Sequence, residues 1–205
     1  MKCISYSEFG PSSKVLKFGE IQTPEPEEGE VLVKLHFSGV NPSDAKARAG
    51  NRPGVLKPQF DTIIPNSDGS GEITKIGKGV DKKRLGQKVW VWNGQWQRPH
   101  GTASQFIALP SEQAILMPKT MSFETGACLG IPGLTAAQCT LGDGSLKGKT
   151  ILISGGAGSV GNLSIQLAKW SGARVIATGS STGFDRIKNA GADYVFGYSD
   201  PQLEQ

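Results

Sequence analysis

The sequence predicts an α/β chain in two parts, a β-rich first half and a doubly wound parallel sheet in the second, and three observations carry that prediction. Short alternating or continuous apolar runs, separated by Gly, Pro and Asn, fill the first half, which is the pattern of strands and turns. A stretch with helical spacing, roughly residues 122 to 141, comes next. The apolar run Thr150-Ile-Leu-Ile-Ser154 then enters a glycine-rich turn, a helical pattern and a second apolar run. Strand, turn, helix and strand in that order make a βαβ unit.

Taken in chain order, Val31-Leu-Val-Lys-Leu-His-Phe37 reads as a strand, and Gly71–Gly77, Gln87–Trp92 and Thr102–Leu109 as three more. Trp90 and Trp92 are expected on opposite faces of their strand, one in the core and one beside a cleft. Leu163, Ile165, Leu167, Ala168 and Trp170 recur at helical spacing after the glycine turn, and Gly172–Thr178 reads as the second buried strand. The chain ends in Ser199-Asp-Pro-Gln-Leu-Glu-Gln205, which reads as the start of a helix with Ser199 or Asp200 as cap and Pro201 in its first turn.

The turn Gly155-Gly156-Ala157-Gly158-Ser159-Val160-Gly161 has the spacing a dinucleotide pyrophosphate needs. Gly156 serves the tight turn, Gly158 close backbone approach and Gly161 packing of helix on strand. The phosphates then sit on free N–H groups at the start of the helix. An NAD site usually places an Asp or Glu at the end of the second strand to take the ribose 2′-hydroxyl. Here the residues are Thr178-Gly179-Ser180-Ser181-Thr182, and no carboxylate follows before Asp185. Small hydroxyls together with Arg186 suit a 2′-phosphate, so NADPH (NADP+) is favoured over NADH.

A formal charge of +4 and the short basic run Lys82-Lys83-Arg84, read as a solvated loop, give no basis for a nucleic-acid partner. No apolar run approaches the length of a membrane span and the first residues have no signal-peptide core, so a cytoplasmic protein with no membrane partner is expected. The three cysteines, Cys3, Cys128 and Cys139, are widely spaced among apolar neighbours and read as buried thiols, with neither a disulfide framework nor a metal site. His36 in a strand and His100 in a loop have no partner at ligand spacing.

Gly39-Val-Asn-Pro-Ser-Asp44, Pro65-Asn-Ser-Asp-Gly-Ser-Gly71, Leu129-Gly-Ile-Pro-Gly-Leu-Thr135 and Gly191-Ala192-Asp193 together resemble the medium-chain dehydrogenases/reductases over the whole chain. Within that superfamily the resemblance is to the zinc-free quinone oxidoreductases of the zeta-crystallin type. It implies a GroES-like substrate domain in residues 1–120, and in residues 121–205 a linking helix with the first half of an NADP-binding Rossmann domain. A family member would continue with further parallel strands, so the chain reads as a piece of a longer one, which the resemblance makes a homodimer or homotetramer. The zinc-dependent relatives place a Cys where this chain has Asn41 and a His-Glu pair at Ser67 and Asp68. They also carry a cysteine-rich lobe missing between Asn93 and Thr102, so no metal is expected.

The activity implied is NADPH-dependent hydride transfer to a quinone or related conjugated enone, an acceptor already electron-poor. Asn41 would border the nicotinamide and the acceptor, and Thr135 would help hold the nicotinamide end. Ala157 to Gly161 would hold the pyrophosphate, while Gly179, Ser180 and Tyr198 would border the adenosine ribose and its phosphate. From the residues alone, Asn41 also suits a turn, Thr135 a helix cap and Tyr198 packing on the sheet, and Asp44 reads as a helix N-terminal charge. Lys46 and Arg52 stand where many family members have aromatic residues, and Gly183 where some have a Lys for the 2′-phosphate. The alternatives are a 2-enoyl thioester reductase, whose proton-donating tyrosine would fall at Arg52, and a non-enzymatic crystallin-like or RNA-binding relative.

Overall fold

The computed structural model describes residues 1–51 and 53–201. Arg52, and all but the first residues of the expected helix at 199–205, lie outside the described residues. The chain divides into two compact units, Met1–Ile131 and Pro132–Gln205.

In the first unit β1 (Lys2–Ser5) pairs antiparallel with β2 (Lys17–Glu20), joined by the single turn α1 (Ser12–Val15). β3 (Glu30–Gly39), α2 (Pro42–Arg48), β4 (Asp68–Ile76), β5 (Lys88–Val91), β6 (Phe106–Pro110) and β7 (Ala114–Leu116) follow. The last five strands form one antiparallel sheet in the order β6-β3-β4-β5-β7. Alternation decides its inner face. Val31, Val33, Ile73, Val89, Val91, Ile107 and Leu109 are essentially fully buried in one cluster, and each such side chain stabilises by about 1.5–3 kcal/mol. The valines of β5 take that face, so Trp90 and Trp92, two residues apart, share the other face and are both half-buried. The expected split of the two tryptophans is therefore corrected by the period of two.

Three other expectations change. The fourth strand begins at Phe106, because residues 102–105 bond to other segments: Thr102 N–H to Asn66 O at 2.9 Å and Gln105 N–H to Lys2 O at 3.1 Å. Arg84 does not lie in solvent with Lys82 and Lys83; its guanidinium donates to Ser111 O at 2.9 Å and to Ala114 O, tying a single 3-10 turn to the strand β7. Cys3 is buried, but Cys128, in the turn between two helices, and Cys139, on a helix, are exposed, since apolar sequence neighbours do not determine which way a residue faces.

The helical stretch is two helices, α3 (Phe123–Gly126), capped by Ser122 Oγ on the Thr125 N–H, and α4 (Gly130–Leu141). In the second unit β8 (Thr150–Ile153), α5 (Ser159–Trp170), β9 (Arg174–Gly179), α6 (Phe184–Asn189) and β10 (Tyr194–Gly197) alternate, with the parallel strand order β10-β9-β8. Ile165 and Ala168 of α5 and Ile187 of α6 pack on Val175 and Ala177 of β9. Trp170, read with the apolar stripe, is 80% exposed. Asp193 pins the start of β9, accepting from Val175 N–H and from Lys169 Nζ at 2.8 Å. These bonds hold its carboxyl below the ordinary carboxylate range, with the Lys169 bond the larger cause.

Candidate functional site

The glycine turn follows β8 directly. Gly155 sits at φ +70°, the left-handed region that glycine occupies without strain, so the tight turn is made one residue before Gly156. A Cβ on Gly156 would lie 3.0–3.2 Å from Ile165, Ala177 and Ile187, and one on Gly161 would lie 2.3 Å from Gly155 O. Both positions are closed by packing of α5 on the strands. A Cβ on Gly158 would meet only Gly155 O, at 3.3 Å, so that glycine faces open space. Gly158 caps α5 without a side-chain bond, and the first helical bond runs from Asn162 N–H to Gly158 O. The N–H groups of Ser159, Val160 and Gly161 precede that bond and form the positive end of the helix dipole. A bare glycine over unpaired donors fits the pyrophosphate of a dinucleotide.

Of the other expected cofactor residues, Tyr198 and the loop after Gly179 lie by this turn. An ideal Cβ on Gly155 would stand 4.0 Å from the Tyr198 hydroxyl, and one on Gly183 would lie 2.5 Å from the Ala157 Cβ. Tyr198 and the loop after Gly179 therefore both reach the turn. With Ala157 against it, Gly183 has no room for a lysine. Ser180 Oγ and Thr182 Oγ1 share a hydrogen bond of 3.0 Å at the exposed loop. Arg186 is exposed on α6, its carbonyl accepting from Asn162 Nδ2 at 3.2 Å. Thr135 is exposed on α4.

In the first unit Asn41 caps α2. It forms a capping box with Asp44, whose carboxylate accepts the Asn41 N–H at 2.8 Å, and Pro42 opens the helix. This agrees with the reading of Asp44 as a helix N-terminal charge. The Asn41 amide Nδ2 donates to Asp68 Oδ2 at 2.8 Å, and the same oxygen accepts Ile131 N–H at 2.8 Å. Asp68 is 1% exposed. Burial pushes its carboxyl up to about 6, against the opposing pull of the Ile131 and Asn41 bonds, and the Asp44 charge adds to the rise. Sequence reasoning considered Asp68 only as the residue standing at a zinc-ligand position. Its available signal was a lone carboxylate at the head of a strand of small residues, Asp68-Gly-Ser-Gly71. Among the described residues no group of three His, Cys, Asp or Glu side chains comes together to hold an ion. No described helix is long and apolar enough to cross a membrane.

Residues 27–119 match the alcohol dehydrogenase GroES-like domain. That domain is followed along the chain by the βαβ unit. The chain is similar to several quinone oxidoreductases. It is 32% identical over 208 residues to the chloroplastic quinone-oxidoreductase homolog of Spinacia oleracea, covering 98% of this chain and 62% of that protein. The chloroplastic NADPH-dependent alkenal/one oxidoreductase of Arabidopsis thaliana is 30% identical, over 100% of this chain and 54% of its own length. The solved quinone oxidoreductase of Coxiella burnetii superposes with a TM-score of 0.85 at 34% identity, over 100% of this chain and 64% of that one. The chain thus spans less than two thirds of the length of these relatives.

Proposed function

We propose that the protein to which this chain belongs uses NADPH to reduce quinones or related conjugated enones, without a metal. The observation that carries the reading is the open space at Gly158 above the unpaired N–H groups of α5, flanked by glycines that packing closes. The Arabidopsis relative's name supports NADPH and an enone; the spinach and Coxiella names support a quinone. In this reading residues 1–120 are the substrate domain and residues 121–205 begin the cofactor domain.

Gly156, Ala157, Gly158, Ser159, Val160 and Gly161 would hold the pyrophosphate through backbone N–H groups and the helix dipole. Gly179, Ser180, Arg186 and Tyr198 would border the adenosine ribose and its phosphate. A 2′-phosphate at this point meets hydroxyls and an exposed guanidinium with no carboxylate on the loop, which favours NADPH over NADH. Thr135 would help hold the nicotinamide end. The bound cofactor would supply the hydride. Asn41 would be the catalytic residue in the sense of touching the reacting groups, its amide orienting the acceptor and the nicotinamide. Such positioning is the protein's main contribution when the acceptor is already electron-poor.

Nucleotide-fluorescence titration with NADPH and NADH, followed by NADPH oxidation with a simple quinone, tests the reading on the full-length protein. Tighter binding of NADPH and quinone-dependent turnover are expected. Absence of binding to either nucleotide would overturn it.

A further inference from the structure

We propose that Asp68 is the positioning residue for Asn41, holding the orientation of its carboxamide toward the reacting groups. The inference rests on the function proposed for Asn41 and adds to it a residue with no contact to substrate. In the sheet, Asp68 stands opposite Gly39, two residues before Asn41. Its backbone carbonyl accepts Thr102 Oγ1 at 2.6 Å, and its Oδ2 accepts both Ile131 N–H and Asn41 Nδ2 at 2.8 Å. The acid is therefore anchored at both ends. A Cβ on Gly130 would fall 2.1 Å from Asp68 Oδ1, so the glycine at the start of α4 is what leaves the carboxyl its place.

A carboxamide can turn either way, presenting oxygen or nitrogen, but an ionised carboxylate only accepts hydrogen bonds. Facing Asp68, Asn41 can present only its nitrogen. One N–H is then fixed on Oδ2, and the second is aimed away from the acid at a defined angle, while Asp44 fixes the backbone of the same residue. Asp68 Oδ1 is buried with no partner among the described residues. A buried acid with an unpartnered oxygen is an expensive way to fill space; aiming a neighbouring amide is a task that a hydrophobic side chain cannot perform.

The test combines a spectroscopic readout with a kinetic cycle. With 15N-asparagine labelling, and the Asn41 signals assigned from Asn41→Ala, one Asn41 amide proton is expected to be shifted downfield and slow to exchange. In Asp68→Ala both protons should move to free-amide positions while the melting curve stays cooperative. Unchanged signals in that variant overturn the proposal whether or not the protein reduces quinones. On turnover, Asp68→Ala is expected to lower kcat roughly 10- to 100-fold, as misplacement of a positioned group does, with the Kd for NADPH unchanged. Asn41→Ala combined with Asp68→Ala should be no slower than Asn41→Ala alone, and Asp68→Asn, which keeps an acceptor oxygen, should recover part of the loss. Fully additive effects would overturn the proposal. Gly130→Ala, which displaces the acid without removing it, should reproduce the Asp68→Ala signature. A wild-type protein with no turnover would instead defeat the quinone reductase reading, leaving the amide signals to judge Asp68.

Discussion

At Gly158 an added side chain meets only Gly155 O, and the backbone there is extended, φ −71° and ψ 166°, so any residue adopts it. Gly158→Leu is therefore expected to melt like wild type and to lose detectable NADPH binding in a fluorescence titration, because its side chain fills the space proposed for the pyrophosphate. Ser180→Asp should raise the Kd for NADPH roughly tenfold or more by like-charge repulsion of a 2′-phosphate, and narrow the gap to NADH. Asp68 gives a pH dependence of defined sign. Its carboxyl titrates near 6 in the folded chain against 3.8 as the ordinary value, so the folded state holds the proton more tightly. The contribution of Asp68 to stability is then greatest below pH 4, falls as pH rises to about 6, and is flat above; that loss is up to about 3 kcal/mol, and Asp193, whose carboxyl is held low, contributes with the opposite sign at lower pH. Urea unfolding of wild type and Asp68→Asn at pH 4 and pH 7 should show that loss in the wild type alone. The glycine turn and the missing carboxylate after the second strand were legible residue by residue, since both are local. Asp68 was not, because its partners are 27 and 63 residues away.

Among the elements, α5 links fold and site. Ile165 on its buried side packs over Gly156 and against β9, while its free N–H groups face the turn. Ile165→Ala is expected to cost about 2–5 kcal/mol in urea unfolding, the range for truncating a buried isoleucine. Gly161→Ala places a Cβ 2.3 Å from Gly155 O, so it should both destabilise the second unit and weaken NADPH binding, in contrast to Gly158→Leu. The βαβ unit was readable because its strands are apolar runs and its helix has a regular stripe. The run at 102–109 was half misread for a physical reason: the backbone N–H groups of Thr102, Ala103 and Gln105 find carbonyls on Asn66, Pro65 and Lys2, partners that no local pattern announces. The long helix was misread likewise, since residues 127–129 interrupt an apolar pattern that continues on both sides.

Across the molecule, the second unit covers one face of its parallel sheet with α5 and α6, while Leu152 and Tyr194 on the strands remain 62% and 51% exposed. Parallel sheets are ordinarily covered on both faces, so the 205-residue chain is expected to associate as concentration rises in sedimentation, and Leu152→Lys to reduce that association. Periodicity and the glycine spacing by themselves determined the α/β class, the position of the βαβ unit and the kind of ligand proposed for its turn, because each depends on residues within a few turns of one another. The tertiary structure alone decided that Trp90 and Trp92 share a face, that Cys128 and Cys139 are exposed, that Arg84 is anchored, and that Asp68 meets Asn41. Those outcomes depend on which distant segment fills the space beside each side chain, and packing of the whole chain sets that.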